Sequence, residues 1–446
     1  MCGAWIREGD SLRILTLTNL YPPDVMGGYE IAAAQVVDSL RARGHDVEVL
    51  TASPRRPVSS LPQVHRTLKL TEDRYWASPP DAPEDAFLLL RDVESRLISA
   101  HNVFALTCAL ERFAPDVVYV CNVVGIGGLG LMACLQYLGV PWVWQLGDRI
   151  PFDVCSAGGR LIPALANEFS RGIEGRFVAV SRQLFDSLRA DGLRLNGPAE
   201  IAPYWITGKR PTTLLPRPRG TTLKIMSCGR VHTEKGIDVL VESAAILRAG
   251  GRERFQIDIF GEVVDPSIAA LIRKFDVARF VSLKGPRPHG EVLELYADYD
   301  LFAFPTRENE PFGLVPLEAL SRGCVPVVSR RCGIAEWLVH GAHCLKAART
   351  AQAFADVFAR VYDGAIALGP IARRGAAAAW RDFHIDAVLP RIEQALSDAS
   401  QRRSTPAGTS ADVYRLARLA ECLARTFVQE KAFVETNQPS EAVDRT

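Results

Sequence analysis

LKIMSCGRVHTEKGIDVLVESAAILRAG, residues 223–250, decides the fold: an apolar run of strand length, a polar loop, then a helix. The alternation continues through FQIDIFGE, PSIAALIRKFD, RFVSLKGP, HGEVLELYADY, LFAFPT, a further short helix and VPVVSR, which predicts a doubly wound parallel sheet. Ligands of such sheets lie beyond the carboxyl ends of the strands. Three of those ends carry ligand chemistry here. The loop CGRVHTEKG holds Arg230 and Lys235, LKGPR holds Gly285 and Arg287, and RENEPFG closes the fourth strand.

That last loop belongs to RENEPFGLVPLEALSRG, residues 307–323, in which Glu310 and Glu318 stand eight positions apart. Pro316 has no N–H to lose and fits the first turn of a helix, and Gly323 suits its end. The spacing places Glu310 on the loop and Glu318 about one turn into the helix, with the N–H groups of Phe312, Gly313 and Leu314 unpaired at the helix start. Such donors, at the positive end of the helix dipole, bind phosphate, and carboxylates beside them accept hydrogen bonds from sugar hydroxyls. Taken alone, the two carboxylates fit an ordinary helix start better, one capping it and one facing water. Sharing a rim with Arg230 and Lys235 favours a site for a sugar attached to a diphosphate.

The first half opens the same way. LRILTLTNLYPP, 12–23, reads as a strand, Gly27 and Gly28 follow it, and Ile31, Ala34, Val37 and Leu40 fall on one face of the next helix. Backbone without side chains at Gly27-Gly28 suits close approach of a ligand, or merely a turn. Residues 53–83, rich in Pro, Ser and Arg with RYW at 74–76, read as an acceptor loop. A helix is expected over Glu84–Arg112, broken near Asn102, before the strand DVVYVCNVV.

GIGGLG, 125–130, matches the dinucleotide pattern, with Asp148 at about the usual distance for its acidic partner, so an NAD-type oxidoreductase is a rival reading. The motif does not open the domain and nothing downstream resembles a hydride-transfer site, which favours a turn between strand and helix. No charge falls between Val117 and Gly147, a length sufficient to cross a bilayer. Asn122, four glycines and Pro141 divide the run into strand, turn, helix and strand, as in a sheet covered on both faces. VPWVWQLGDRIPF ends a strand at Gly147-Asp148, with the carboxylate aimed into a cleft. VSRQLFDSL continues into a helix, IAPYWI, 201–206, is a last strand, and the prolines of 209–220 make a linker.

At 446 residues the chain exceeds one core. The expected division is a first domain at 1–208, a second at 221–378, a helix at 379–400, and a helical tail at 401–446 with a disordered end. With 23% charged residues and net charge +1, the chain offers no broad basic face for nucleic acid. Ten cysteines without a CxxC pair suit reduced thiols of a cytoplasm rather than a disulfide frame or zinc site. The start MCGAWIREGDSLR is too polar for a signal peptide. In 411–433, Val413, Leu416, Leu419 and Leu423 form an apolar stripe, read as a packing or homo-oligomer face ahead of peripheral contact with the inner face of a membrane.

GRVHTEKG, followed by the two glutamates of EPFGLVPLEA, resembles the retaining glycosyltransferases of family 4, whose GT-B fold sets two Rossmann-like domains about a cleft. GG at 27–28, PDVVYV at 115–120 and VSRQL at 180–184 extend the resemblance over residues 13 to about 400. It implies a nucleoside-diphosphate-sugar donor, UDP- or GDP-linked, a glycan or lipid-linked acceptor, no metal, no further cofactor and retained anomeric configuration, with residues 1–208 binding acceptor, 221–378 binding donor and the helix at 379–400 returning to the first domain. It assigns Arg230 and Lys235 to the diphosphate, Glu318 to the ribose hydroxyls and Glu310 to the transferred sugar. The N–H groups of Phe312, Gly313 and Leu314, with Gly28, complete the donor contacts. Asp298-Tyr299-Asp300, a foothold for metal, lies at the opposite rim and reads as structural. Where many relatives have His-Asp this chain has Gly147-Asp148, leaving Asp148 to substitute for the His and keeping open a sugar-nucleotide-binding relative without turnover.

Overall fold

The computed structural model describes residues 11–54, 61–71, 93–151, 173–193, 195–211, 222–306, 310–420 and 422. Most of the 53–83 loop including RYW, the start of the helix expected from Glu84, most of the linker, Arg307 to Asn309, and Leu423 onward lie outside them. The chain divides into two compact units, one made of Met1–Val178, Ser187–Glu200 and Arg391–Thr446, the other of Ala179–Asp186 and Ile201–Pro390.

In the first unit the elements run β1 (Arg13–Leu17), α1 (Gly28–Ala42), β2 (Asp46–Ala52), β3 (Val64–Leu68), α2 (Ala100–Phe113), β4 (Val117–Val120), α3 (Gly128–Tyr137) and β5 (Trp142–Leu146). Then come β6 (Ile173–Glu174), β7 (Arg176–Ala179), α4 (Arg182–Ala190), whose residues up to Asp186 group with the second unit, β8 (Leu195–Asn196) and β9 (Ala199–Ile201). The sheet order β3-β2-β1-β4-β5-β7-β9 reverses between β1 and β4, and β6 pairs with β8 separately. β4 and β5 are buried along their whole length, which is why VVYV and WVWQL read as continuous apolar runs rather than alternating ones. Among the described residues no helix is long and apolar enough to cross a membrane.

Several local expectations shift. The inner face of α1 is Ala33, Val36, Val37 and Leu40, one step round from the predicted stripe, so Ile31 is exposed. Ser99 caps α2, so the helix starts close to the break expected near Asn102. Asn102 is fully buried within the first turn because its side chain ties together the backbone of Lys69 and Ile126. The strand predicted over 201–206 ends at Ile201, and Ile206 instead forms a parallel bridge with His384. The helix at 410–420 buries Val413 and Ala417 while Leu416 and Leu419 face outward, so the predicted stripe is split between two faces.

The second unit has β10 (Leu223–Cys228), α5 (Ile237–Ala249), β11 (Phe255–Phe260), α6 (Ser267–Lys274), β12 (Val281–Gly285), α7 (His289–Leu295), β13 (Leu301–Phe304), α8 (Leu314–Ser321), β14 (Val325–Ser329), α9 (Gly333–Trp337), β15 (Leu345–Ala347), α10 (Ala351–Tyr362) and α11 (Leu368–Asp382). Its sheet order, β12-β11-β10-β13-β14-β15, reverses between β10 and β13, and every pair is parallel. Ile225, Leu240, Ile257, Leu301, Val327 and Phe354 are fully out of solvent at its centre. A last helix, α12 (Ile385–Ser400), carries Pro390, and its residues from Arg391 group with the first unit. There Glu393, buried, accepts from Arg43 at 2.6 Å and lies 3.4 Å from His45, and Arg176 pairs with Asp398 at 2.7 Å.

Candidate active site

The reversal between β10 and β13 is where an open parallel sheet leaves a crevice. Beyond the carboxyl ends of these two strands lies a cavity of about 180 Å³, walled by Ser227 to Arg230, Lys235, Ile237, Phe304, Glu310 and Gly313 to Val315. Sequence-predicted residues from two separate loops therefore meet at one place: Arg230, Lys235, Glu310, Gly313 and Leu314. Lys235 ends a single 3-10 turn, Thr233–Lys235, started by His232, whose Nδ1 accepts the Glu234 N–H. Gly236 follows at φ 75°, and a Cβ there would lie 1.9 Å from the Pro305 carbonyl oxygen, so a glycine is required for this loop to close against the end of β13.

The Lys235 Nζ donates to Glu310 Oε2 at 2.5 Å, and Thr306 Oγ1 donates to the same oxygen at 2.9 Å. Arg230 is exposed at the rim. Gly313 precedes α8 at φ 102° with the Phe304 ring 2.6 Å from where a Cβ would sit, which sets the helix start against the cavity wall. Pro316 falls in the first turn and Gly323, at φ 79°, just past the end, as the residue types demand.

Glu318 lies behind this wall rather than on it. It is 6% exposed, its Oε1 is 2.7 Å from His289 Nε2, and its Oε2 accepts from Tyr296 Oη at 3.3 Å. Burial, and then the nearby Glu318 carboxylate, pushes the Cys228 thiol up to about 11. The same two causes hold the Tyr296 hydroxyl well above its ordinary value. The hydrogen bond to Glu318 raises the His289 imidazole. Gly285 accepts the Gly261 N–H at 3.0 Å through its carbonyl and Arg287 is exposed; neither is among the cavity's lining residues. Phe312 is buried, its ring edge-on to Tyr204.

Sequence reasoning missed what holds the Glu310 loop. The N–H groups of Gly333 and Ile334, at the start of α9, donate to the carbonyls of Glu310 and Phe312, both at 2.9 Å. Ser181 Oγ, from VSRQL, donates to Pro311 O at 2.7 Å, and the Glu336 carboxylate accepts the N–H groups of Arg182 and Gln183. Arg349 ties the loop carrying Arg230 and Lys235 to the one carrying Glu310, donating to Thr233 O at 2.7 Å and to Pro305 O at 3.1 Å. None of these partners lies near its target in sequence, so no spacing announces them. His289 is likewise one of eight histidines and belongs to no motif that would single it out.

In the first unit, Gly27 and Gly28 form the start of α1, where Glu30 Oε2 accepts the N–H groups of Gly27 and Met26, and a Cβ at either glycine would meet open space. Asp148 Oδ1 accepts the Ile150 N–H at 2.8 Å, and Tyr29 Oη takes the Gly147 N–H at 2.6 Å. The GIGGLG glycines serve packing. A Cβ at Gly127 would lie 2.5 Å from Ser99 N, one at Gly128 2.7 Å from the Val123 side chain and one at Gly130 2.7 Å from that of Ile98. In the Asp-x-Asp, Asp300 Oδ2 accepts the Lys224 N–H and Tyr299 Oη donates to Asp258.

Two Rossmann-like units, one carrying cations and a helix start around a crevice at its sheet reversal, define a GT-B glycosyltransferase. Residues 27–205 match the family described as "Glycosyl transferase 4-like domain" and residues 216–373 match "Glycosyl transferases group 1". The chain belongs to this family, glycosyltransferase family 4, and is a transferase. It is 28% identical over 347 residues to a glycogen synthase of Mycobacterium tuberculosis, covering 74% of this chain and 81% of the relative. Among solved structures it is similar to a sucrose-phosphate synthase of Thermosynechococcus elongatus, with TM-score 0.63 and 17% identity over 86% of this chain and 98% of that one. It is also similar to HepE of Anabaena in complex with UDP and glucose, with TM-score 0.60 and 17% identity over 86% and 99%.

Proposed function

We propose that this enzyme moves a sugar from a nucleoside-diphosphate donor to a hydroxyl of a glycan or lipid-linked acceptor, with retention of anomeric configuration and without a metal or further cofactor. The observation that carries it is the convergence of Arg230, Lys235, Glu310 and the start of α8 on one cavity at the β10/β13 reversal. Arg230 and Lys235 hold the diphosphate, Glu310 contacts the transferred sugar while fixing Lys235, and Glu318 takes the ribose hydroxyls. Gly27, Gly28, Gly285, Arg287 and the Phe312 N–H are further donor contacts, and Asp148 contacts the sugar in place of the His that many relatives carry. That the similar HepE binds UDP supports a UDP-linked donor.

In the reaction the bond between the sugar C1 and the diphosphate oxygen breaks, and a bond from C1 to the acceptor oxygen forms on the same face. The acceptor's proton passes to the leaving phosphate oxygen. Negative charge grows on the leaving diphosphate, and the Arg230 and Lys235 cations with helix N–H donors stabilise it, the work a divalent ion does elsewhere. Each such donor contributes about 3 kcal/mol to the transition state. Arg230→Ala and Lys235→Ala should each lower turnover about 100-fold or more with the melting temperature little changed, since both side chains reach solvent. Near-normal transfer by either variant sinks the assignment. Turnover should persist in a chelator, and NMR of the product should show the donor's anomeric configuration.

A further inference from the structure

Glu318 is a carboxylate in an awkward place. It is 6% exposed and lies behind Cys228, which lines the cavity assigned to a diphosphate. A buried carboxylate beside an anionic ligand either repels it or takes up a proton, and a protonated carboxyl no longer accepts from two hydroxyls. It needs a compensating cation, and the Lys235 ammonium is already bonded to Glu310.

His289 Nε2, 2.7 Å from Oε1, meets this need. The other oxygen accepts from Tyr296 Oη. A carboxylate offers about four lone-pair sites, so one remains on each oxygen, the arrangement that receives the two neighbouring hydroxyls of a ribose. Of the other titratable groups around the carboxylate, Cys228 and Tyr296 are kept neutral by burial, and Cys324 is buried near Tyr296. The His289 side chain is 63% exposed, so it exchanges protons freely with water.

We propose that His289 is a positioning residue for the nucleoside end of the donor: as an imidazolium it neutralises Glu318 and orients its carboxylate so that both oxygens accept from the ribose. This rests on the ribose role given to Glu318 above. Binding of the donor then falls as pH rises and His289 loses its proton, because the carboxylate is left uncompensated beside the diphosphate.

The test uses the full chain and calorimetric titration with UDP, GDP and ADP, continuing with whichever binds tightest and its 2′-deoxy counterpart. His289→Ala should weaken the ribonucleotide about fivefold or more and bring the ribo-to-deoxy affinity ratio toward one, the size of one lost charge-assisted hydrogen bond. His289→Gln, which keeps a donor but no charge, should flatten the fall in affinity between about pH 6 and about pH 8.5; comparing it with the natural protein cancels the ligand's own protonation. A wild-type ratio in His289→Ala, or a wild-type pH curve in His289→Gln, overturns the proposal. Glu318→Gln separates the levels: if it retains the wild-type ratio, the ribose reading itself fails, and if it loses that ratio while His289→Ala does not, only the role of His289 fails. Absence of binding by all three nucleotides overturns both.

Discussion

Lys235 and Glu310 are bound to each other at 2.5 Å, so each fixes the other's place on the cavity wall. This is the residue-scale meaning of a motif whose two halves are 75 positions apart. His289 shows the same logic with a proton in play. Its imidazole is raised chiefly by the hydrogen bond to Glu318. A raised folded-state value means the pair's stabilisation is fully present below the unfolded value of about 6.5 and is lost as pH rises through the folded value. Carbon-13 NMR of histidine-labelled protein should therefore show one imidazole, assigned by its absence in His289→Ala, titrating above about 6.5, and returning toward that value in Glu318→Gln. An unshifted His289 resonance contradicts the pairing.

At the scale of elements, the start of α8 is held from outside itself. Gly313 allows the backbone to turn at φ 102° under the Phe304 ring, and Ser181 and the start of α9 fix the carbonyls of the loop before it. Gly313→Ala combines a disfavoured backbone with a clash and should cost about 1–3 kcal/mol, read as a lower denaturation midpoint together with reduced turnover. Ser181→Ala removes the bond to Pro311 and the one accepted from Leu184. It should cost about 1–2 kcal/mol and lower turnover more than donor-independent properties, since the Glu310 loop loses its brace. Unchanged turnover in Ser181→Ala would show that α9 alone is sufficient.

Across the whole molecule, the two units repeat one plan, yet they differ in what sits at the rim. The first unit presents Gly27-Gly28, where a side chain would project into open space. Gly28→Val should accordingly leave the melting temperature nearly unchanged while lowering donor turnover at least about tenfold, the cost of obstructing a close approach. Within the first unit, Glu393 of α12 is buried against Arg43 and His45. Glu393→Ala should destabilise that unit by about 1.5–3 kcal/mol in denaturant melts.

The two sheets, the placing of α8 by Pro316 in its first turn and Gly323 past its end, and the residue types at the cavity were legible from sequence because each follows from local chemistry. Apolar runs of strand length, missing N–H groups and permissive backbones act within a few residues of where they are written. The phase of α1, the end of β9 and the splitting of the 410–420 helix were not, because burial is assigned by neighbours distant in the chain: Ile31 is apolar and still faces out. Local chemistry along the chain suffices to specify the fold class and to gather cations and carboxylates at strand ends. Which of them meet is set by three-dimensional packing, which brings Lys235 to Glu310 and His289 to Glu318 and leaves Arg287 off the cavity wall. The reason is that hydrogen bonds need side chains within about 3 Å, and that separation is set by the packing of whole elements rather than by any spacing along the chain.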